Sequence, residues 1–156
     1  MKHWTVCCAL ILIITGGCRL LPSNFESLPL SEKVDAYAEY FKYHNVPSVF
    51  ARSRISWHGW AAADIMAQYL AGQRQGLPDI EAVEIIHAVQ LRGCSLRGTS
   101  AERALEGYLS RQSKDTYDYI SAKDVLGSIM SGIKYKKIRY DDLKGGPCEA
   151  GAPASH

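Results

Sequence analysis

From Ser31 to Leu143 the apolar residues recur at steps of three and four far more often than they alternate, which restricts this stretch to helices packed on helices. Ser31 is a good N-cap, and behind it Val34, Tyr37, Ala38 and Phe41 share one face until Asn45 and Pro47 end the run. A second segment starts around Ser56 or His58, sets Ala62, Ile65, Met66, Tyr69 and Leu70 on one side, and closes at Gly72 to Gly76. Pro78 opens a third, because the donor it lacks has no partner in a first turn anyway. Asp79 and Glu81 favour that helix's positive end, and Ala82, Ile85, Ile86 and Val89 form its buried stripe before Gly93. Thr99 with Glu102 reads as a capping box for a fourth helix carrying Ala101, Ala104, Leu105, Tyr108 and Leu109 inward. Ser121 with Asp124 reads as another box, followed by Val125, Leu126, Ile129, Met130 and Ile133. The expected fold is all-α, a compact bundle of about five short amphipathic helices, large enough for a single core.

Ahead of this body, Lys2 gives a basic start, Trp4 to Ile14 is uncharged and almost wholly apolar, and Thr15, Gly16 and Gly17 lead into Cys18. That order of features is an export signal. Its apolar part is shorter than the roughly 20 residues a helix needs to cross a bilayer. Gly16, Gly17 and Cys18 resemble the lipobox of bacterial lipoproteins, with Thr15 where that family usually carries Leu, Val or Ile. The resemblance covers the leader alone. It implies removal of residues 1–17, a diacylglycerol thioether on Cys18, and palmitate-type anchoring of the new N-terminus. Two acyl chains hold a protein on a membrane stably where one does so only reversibly. Arg19, in place of the Asp associated with inner-membrane retention, leans the implied address toward the periplasmic face of the outer membrane. Residues 18–30, with Pro22, Ser23, Asn24 and Pro29, then serve as the lipidated N-terminus and linker, residues 31–143 as the helical domain and residues 144–156 as a flexible tail.

The chain has five cysteines. With Cys7 and Cys8 in the leader and Cys18 under lipid, Cys94 and Cys148 remain, and two is the number that can pair in an oxidising compartment. The alternatives are a half-buried Cys94 with a free Cys148, or a reactive Cys94 whose thiol is acidified by Arg92 and Arg97.

Gly59, Ala62, Ala63 and Leu70, then Ile86, Gly93, Ala104 and Leu109, resemble the paired helices of HEAT-type repeats over the stretch from Gly59 to Leu109. No self-similar period recurs along the chain, so a compact bundle is expected rather than a solenoid.

Few residues carry the pattern of a reactive site. Glu84 and His87 form a Glu-x-x-His, but a di-iron bundle needs a second copy and two more inward glutamates. Neither His-Glu-x-x-His nor Cys-x-x-Cys occurs, and no cofactor or metal is expected. Trp57, His58 and Trp60 form the most unusual local composition, able to line a ligand or peptide groove or, more plainly, to pack into the core. Tyr40 and Tyr43 lie outside the core stripe of the first helix, where exposed tyrosines serve recognition. Lys134, Lys136, Lys137 and Arg139 interleave with aromatic and apolar residues near the C-terminus. Export removes nucleic acid as their partner and leaves anionic lipid headgroups or plain solvent. With 18 basic against 16 acidic side chains there is no net field for steering. The expected function is a membrane-anchored envelope module that binds a protein or peptide through Trp57, His58, Trp60, Tyr40 and Tyr43. The alternative is a small lipid-anchored hydrolase using His58 or His87 with Asp64 or Glu84.

Overall fold

A computed structural model describes residues 20–132 and Cys148. After a short 3-10 turn at Phe25–Ser27 come six helices: α1 (Leu30–His44), α2 (Val49–Ser56), α3 (Trp60–Leu70), α4 (Asp79–Leu91), α5 (Ser100–Leu109) and α6 (Tyr117–Ser131). Among the described residues no strand occurs. The all-α class is as the apolar spacing requires.

The helix ends follow local chemistry. The α1 helix stops at Asn45, whose left-handed backbone (φ 48°) is one that asparagine tolerates better than most residues, and its N–H closes back on the Phe41 carbonyl at 2.8 Å. Ser48 caps α2 by accepting the Ala51 N–H at 3.3 Å. Gly59, at φ 58° and ψ −129°, permits the sharp turn between α2 and α3. Thr116 caps α6, accepting the Tyr119 N–H at 3.2 Å.

Several details correct the sequence reading. The helix α1 starts at Leu30, with Pro29 and not Ser31 in the N-cap position, and α3 starts at Trp60 and not at Ser56 or His58. The helix α2 was not visible in the pattern, because its inward residues are only Ala51, Ile55 and Ser56 and its remainder mixes arginines with exposed Val49 and Phe50. The fifth expected helix begins four residues earlier than its supposed capping box. Ser121 therefore lies mid-helix, donating to Glu84 at 3.3 Å, and Met130 faces outward while Ala122, Val125 and Ile129 face in. At α5 the Thr99 hydroxyl donates to the Leu96 carbonyl at 2.6 Å instead of capping, and Glu102 accepts the Gly98 N–H.

The bundle is organised around α4, which packs against α2, α3 and α6, while α5 lies across α3 and α6 and α1 rests on α2 and the 3-10 turn. Ala82, Val83, Ile85, Ile86 and Val89 of α4 are all buried, so the helix is covered on more than one side. A stripe with charges behind it would have suited an edge position; apolar residues around most of the circumference put this helix in the middle.

Inside that centre sits a carboxylate. Glu81, in the first turn of α4, is only 2% exposed. Tyr37 of α1 donates its hydroxyl to Glu81 Oε2 at 2.6 Å, and Arg52 of α2 donates Nε to the same oxygen at 2.7 Å and Nη2 to Oε1. The Ser48 N–H in turn donates to the Tyr37 hydroxyl at 3.2 Å. Arg52 also lies 3.8 Å from Glu84. Burial, reinforced by the Glu81 hydrogen bond, pushes the Tyr37 hydroxyl well above its usual range, so it stays a donor. For Arg52, burial works against the charge, but the Glu81 contact outweighs it and the guanidinium is held still more firmly protonated.

The loop between α4 and α5 is fastened from several sides. Cys94 is buried and joined to Cys148 by a disulfide with the Cα atoms 5.0 Å apart. Trp60 donates Nε1 to the Ser95 carbonyl at 2.9 Å, and Arg103 donates to the Gly98 carbonyl at 2.9 Å.

Removing one partner from a buried ion pair strands the other, which typically costs about 3 to 5 kcal/mol. Because Arg52 is partly exposed, Glu81→Ala is expected near the lower end, about 3 kcal/mol, in urea unfolding. In a double-mutant cycle Arg52→Ala should add much less once Glu81 is gone; strict additivity would contradict the pairing. The disulfide closes a loop with a sequence separation of 54. Cys148→Ser should lower the unfolding free energy by about 2 to 4 kcal/mol, and the wild type should match the variant once a reductant is present.

Candidate functional site

The turn from α2 into α3 places its three singled-out residues in different settings. Trp57 is half-buried beneath the guanidinium of Arg92, which lies 5.2 Å from the ring centre. Arg92 is itself oriented by Ser56 Oγ at 2.9 Å and by the carbonyl and hydroxyl of Ser53 at 3.0 Å. The cation covers part of one indole face, and its Nη1 is buried, so the guanidinium holds Trp57 against α2 while part of the ring stays accessible. Trp60 packs against the core and spends its N–H on Ser95, so it serves the fold. His58 lies half-buried between them in sequence, and burial together with the nearby Lys33 ammonium lowers its imidazole from the ordinary histidine value of 6.5. Lys33 is buried in α1 and donates to the Leu28 carbonyl. The His58 imidazole is therefore neutral at physiological pH.

The tyrosines of α1 form a separate group, because Tyr40 and Tyr43 lie seven and ten residues beyond Lys33, about 10 and 15 Å along the helix. Tyr40 stacks on Tyr37 with ring centres 6.3 Å apart and meets the His44 ring at 4.4 Å; it is half-buried against the core. Tyr43 is 51% exposed, with Lys42 Nζ 5.7 Å from its ring centre. Beyond it the chain turns at Asn45 and presents Val46 (56% exposed), Val49 (78%) and Phe50 (46%). This α1–α2 corner is the larger apolar exposure, and periodicity could not find it. Its signal in the sequence is the run Val46, Pro47, Ser48, Val49, Phe50, apolar on both sides of a turn with no partner stripe.

The groups proposed for hydrolysis occupy three different places. Asp64 lines a shallow groove of about 620 Å³ between α3 and α5, with Gln68, Ser100 and Arg103, and accepts a hydrogen bond from Ser100. Glu84 is engaged by Arg52 and Ser121. His87 is half-buried on α4, three residues from Glu84, while the charge sensed by His58 is a cation and not a carboxylate. Among the described residues no group of three or more His, Cys, Asp or Glu is placed to hold a metal ion. A further titratable cluster joins Asp79, Tyr108, Arg111 and Asp118. Burial raises Asp79, with Arg111 opposing and Asp118 adding, and burial with the two carboxylates pushes Tyr108 up to about 12. Arg111 also donates to the Leu70 carbonyl at 2.7 Å, so this cluster ties the ends of α3 and α5 together. Cys18 and the basic residues Lys134, Lys136, Lys137 and Arg139 lie outside the described residues.

The lowered His58 has a definite consequence for stability. Its folded pKa lies below the unfolded value, so the unfolded chain binds the proton first as pH falls, and acid works against the fold from about 6.5 downward. Imidazole NMR titration should give His58 a pKa below 6.5, and Lys33→Met should move it upward. An unchanged His58 titration in that variant would remove Lys33 as a cause.

No protein-family model matches this chain, and neither the curated proteins nor the solved structures contain a significant match to it.

Proposed function

We propose that this chain is the precursor of a lipid-anchored envelope protein whose body is a small non-enzymatic helical module that binds a protein or peptide partner. The observation that carries the reading is the leader: a basic start, an apolar stretch too short to span, and Gly16-Gly17-Cys18 directly ahead of a linker. Two features of the body support it. The Cys94–Cys148 bond suits an oxidising compartment such as the periplasm, where disulfides persist. No described helix is long and apolar enough to cross a membrane. The anchoring chemistry that the sequence offers is diacylation of Cys18.

The partner-facing surface in this reading is the turn carrying Trp57 and His58. Trp57 is half-buried, with the Arg92 guanidinium 5.2 Å from its ring centre, and the accessible part of the indole suits an apolar or aromatic side chain of a peptide. Binding rather than turnover is supported by the engagement of Glu84, the carboxylate one turn from His87, with Arg52 and Ser121.

Metabolic labelling with palmitate separates these statements. The mature wild-type protein should take up label and fractionate with membranes, while Cys18→Ser should take up none and keep Met1. Label-free mature protein would end the lipoprotein reading.

A further inference from the structure

We propose that the α1–α2 corner, formed by Tyr43, Val46, Val49 and Phe50, is the face that rests against the lipid bilayer, so that the partner surface at Trp57 points away from it. The inference rests on the lipoprotein reading for its tether and adds a second, non-covalent contact and an orientation. The corner is the part of the body on which the tether lands. Phe25 packs on Phe50 with ring centres 5.9 Å apart, and Glu26 pairs with Arg54 one turn further along α2. Cys18 lies seven residues before Phe25, which is at most about 24 Å of extended chain. An acylated Cys18 therefore confines the corner to the membrane surface and raises its effective concentration there.

The chemistry of the corner suits a bilayer interface. Its most exposed apolar side chains, Val46 and Val49, flank the turn between two helices as an exposed apolar cluster of the kind that enters the headgroup boundary. Basic side chains border it: Lys42 beside the Tyr43 ring, and Arg54, which shares its charge with Glu26 and whose guanidinium lies 5.4 Å from the centre of the Phe50 ring. An aromatic and aliphatic tip with basic neighbours matches the boundary between anionic headgroups and acyl chains. The geometry of α2 then sets the orientation. Val49 starts this helix and Trp57 follows its last residue, about 12 Å away along the axis. Phe50 and Trp57, seven residues apart, share a face, so the proposed orientation sets α2 along the bilayer normal, with its first turn on lipid and its other end in water.

The test uses the full chain, expressed with its leader so that it is processed, then purified and reconstituted in vesicles of phosphatidylethanolamine with a minority of phosphatidylglycerol. A photoreactive benzoylphenylalanine is placed at Val49, at Phe50 or, as the control, at Glu106. Glu106 is exposed on α5, a helix that packs on α3 and α6. Lipid adducts severalfold more abundant at Val49 and Phe50 than at Glu106 are expected. Lipid labelling no higher than the control, or adducts chiefly to a second copy of the chain, would overturn the proposal. Palmitate incorporation is read on the same material. An unlabelled Cys18 defeats the lipoprotein reading, whereas labelled Cys18 with no lipid adducts at the corner defeats only the orientation.

Discussion

A carboxylate taken out of water demands partners, and Glu81 obtains them from three different parts of the chain. Tyr37 reaches it from α1, Arg52 reaches it from α2 with two donors, and its own helix offers the positive end of the macrodipole. An apolar contact tolerates sliding by an ångström or rotation by a fraction of a turn, because dispersion has no direction. A forked guanidinium on a carboxylate with a phenol on one of the same oxygens tolerates neither. The two N-terminal helices are thereby set in register on α4. The short α2, with few inward apolar side chains, is held by this bond as well as by the burial of Ala51 and Ile55.

Around that centre the remaining helices follow from ordinary packing. The helix α4 is covered by α2, α3 and α6, and the loop that leaves it is held by a disulfide, an indole N–H and an arginine. The residues that look most distinctive in the sequence are divided between structure and surface by these bonds. Trp60 is committed to Ser95 and Tyr40 to its neighbours Tyr37 and His44, while Trp57 and Tyr43 keep part of their rings accessible. In the proposed reading the two accessible sites sit at opposite ends of α2, one for lipid and one for a partner. A lipid-anchored module placed this way presents its recognition surface without any motion of the fold.

Much of the candidate site was illegible in advance for identifiable reasons. Local spacing locates helix faces but says nothing about what covers them, so Val46, Val49 and Phe50 fall between the two expected helices without an assignment and Met130 falls on the expected inward stripe. Glu81 read as a favourable first-turn charge, which it is, but its burial depends on α1 and α2 folding back over it. Its position beside Ile80 and before Ala82 and Val83, an acid within an apolar run, was the one local sign.

What the sequence determined by itself was the helical class and the approximate place of five of the six described helices, because these depend on apolar spacing and turn residues close together along the chain. Tertiary structure alone decided which helix lies in the middle, which polar groups are paired inside, that α2 is a helix at all, and where apolar surface is left bare. Those outcomes depend on residues tens of positions apart meeting in space, and no local pattern of three or four records such a meeting.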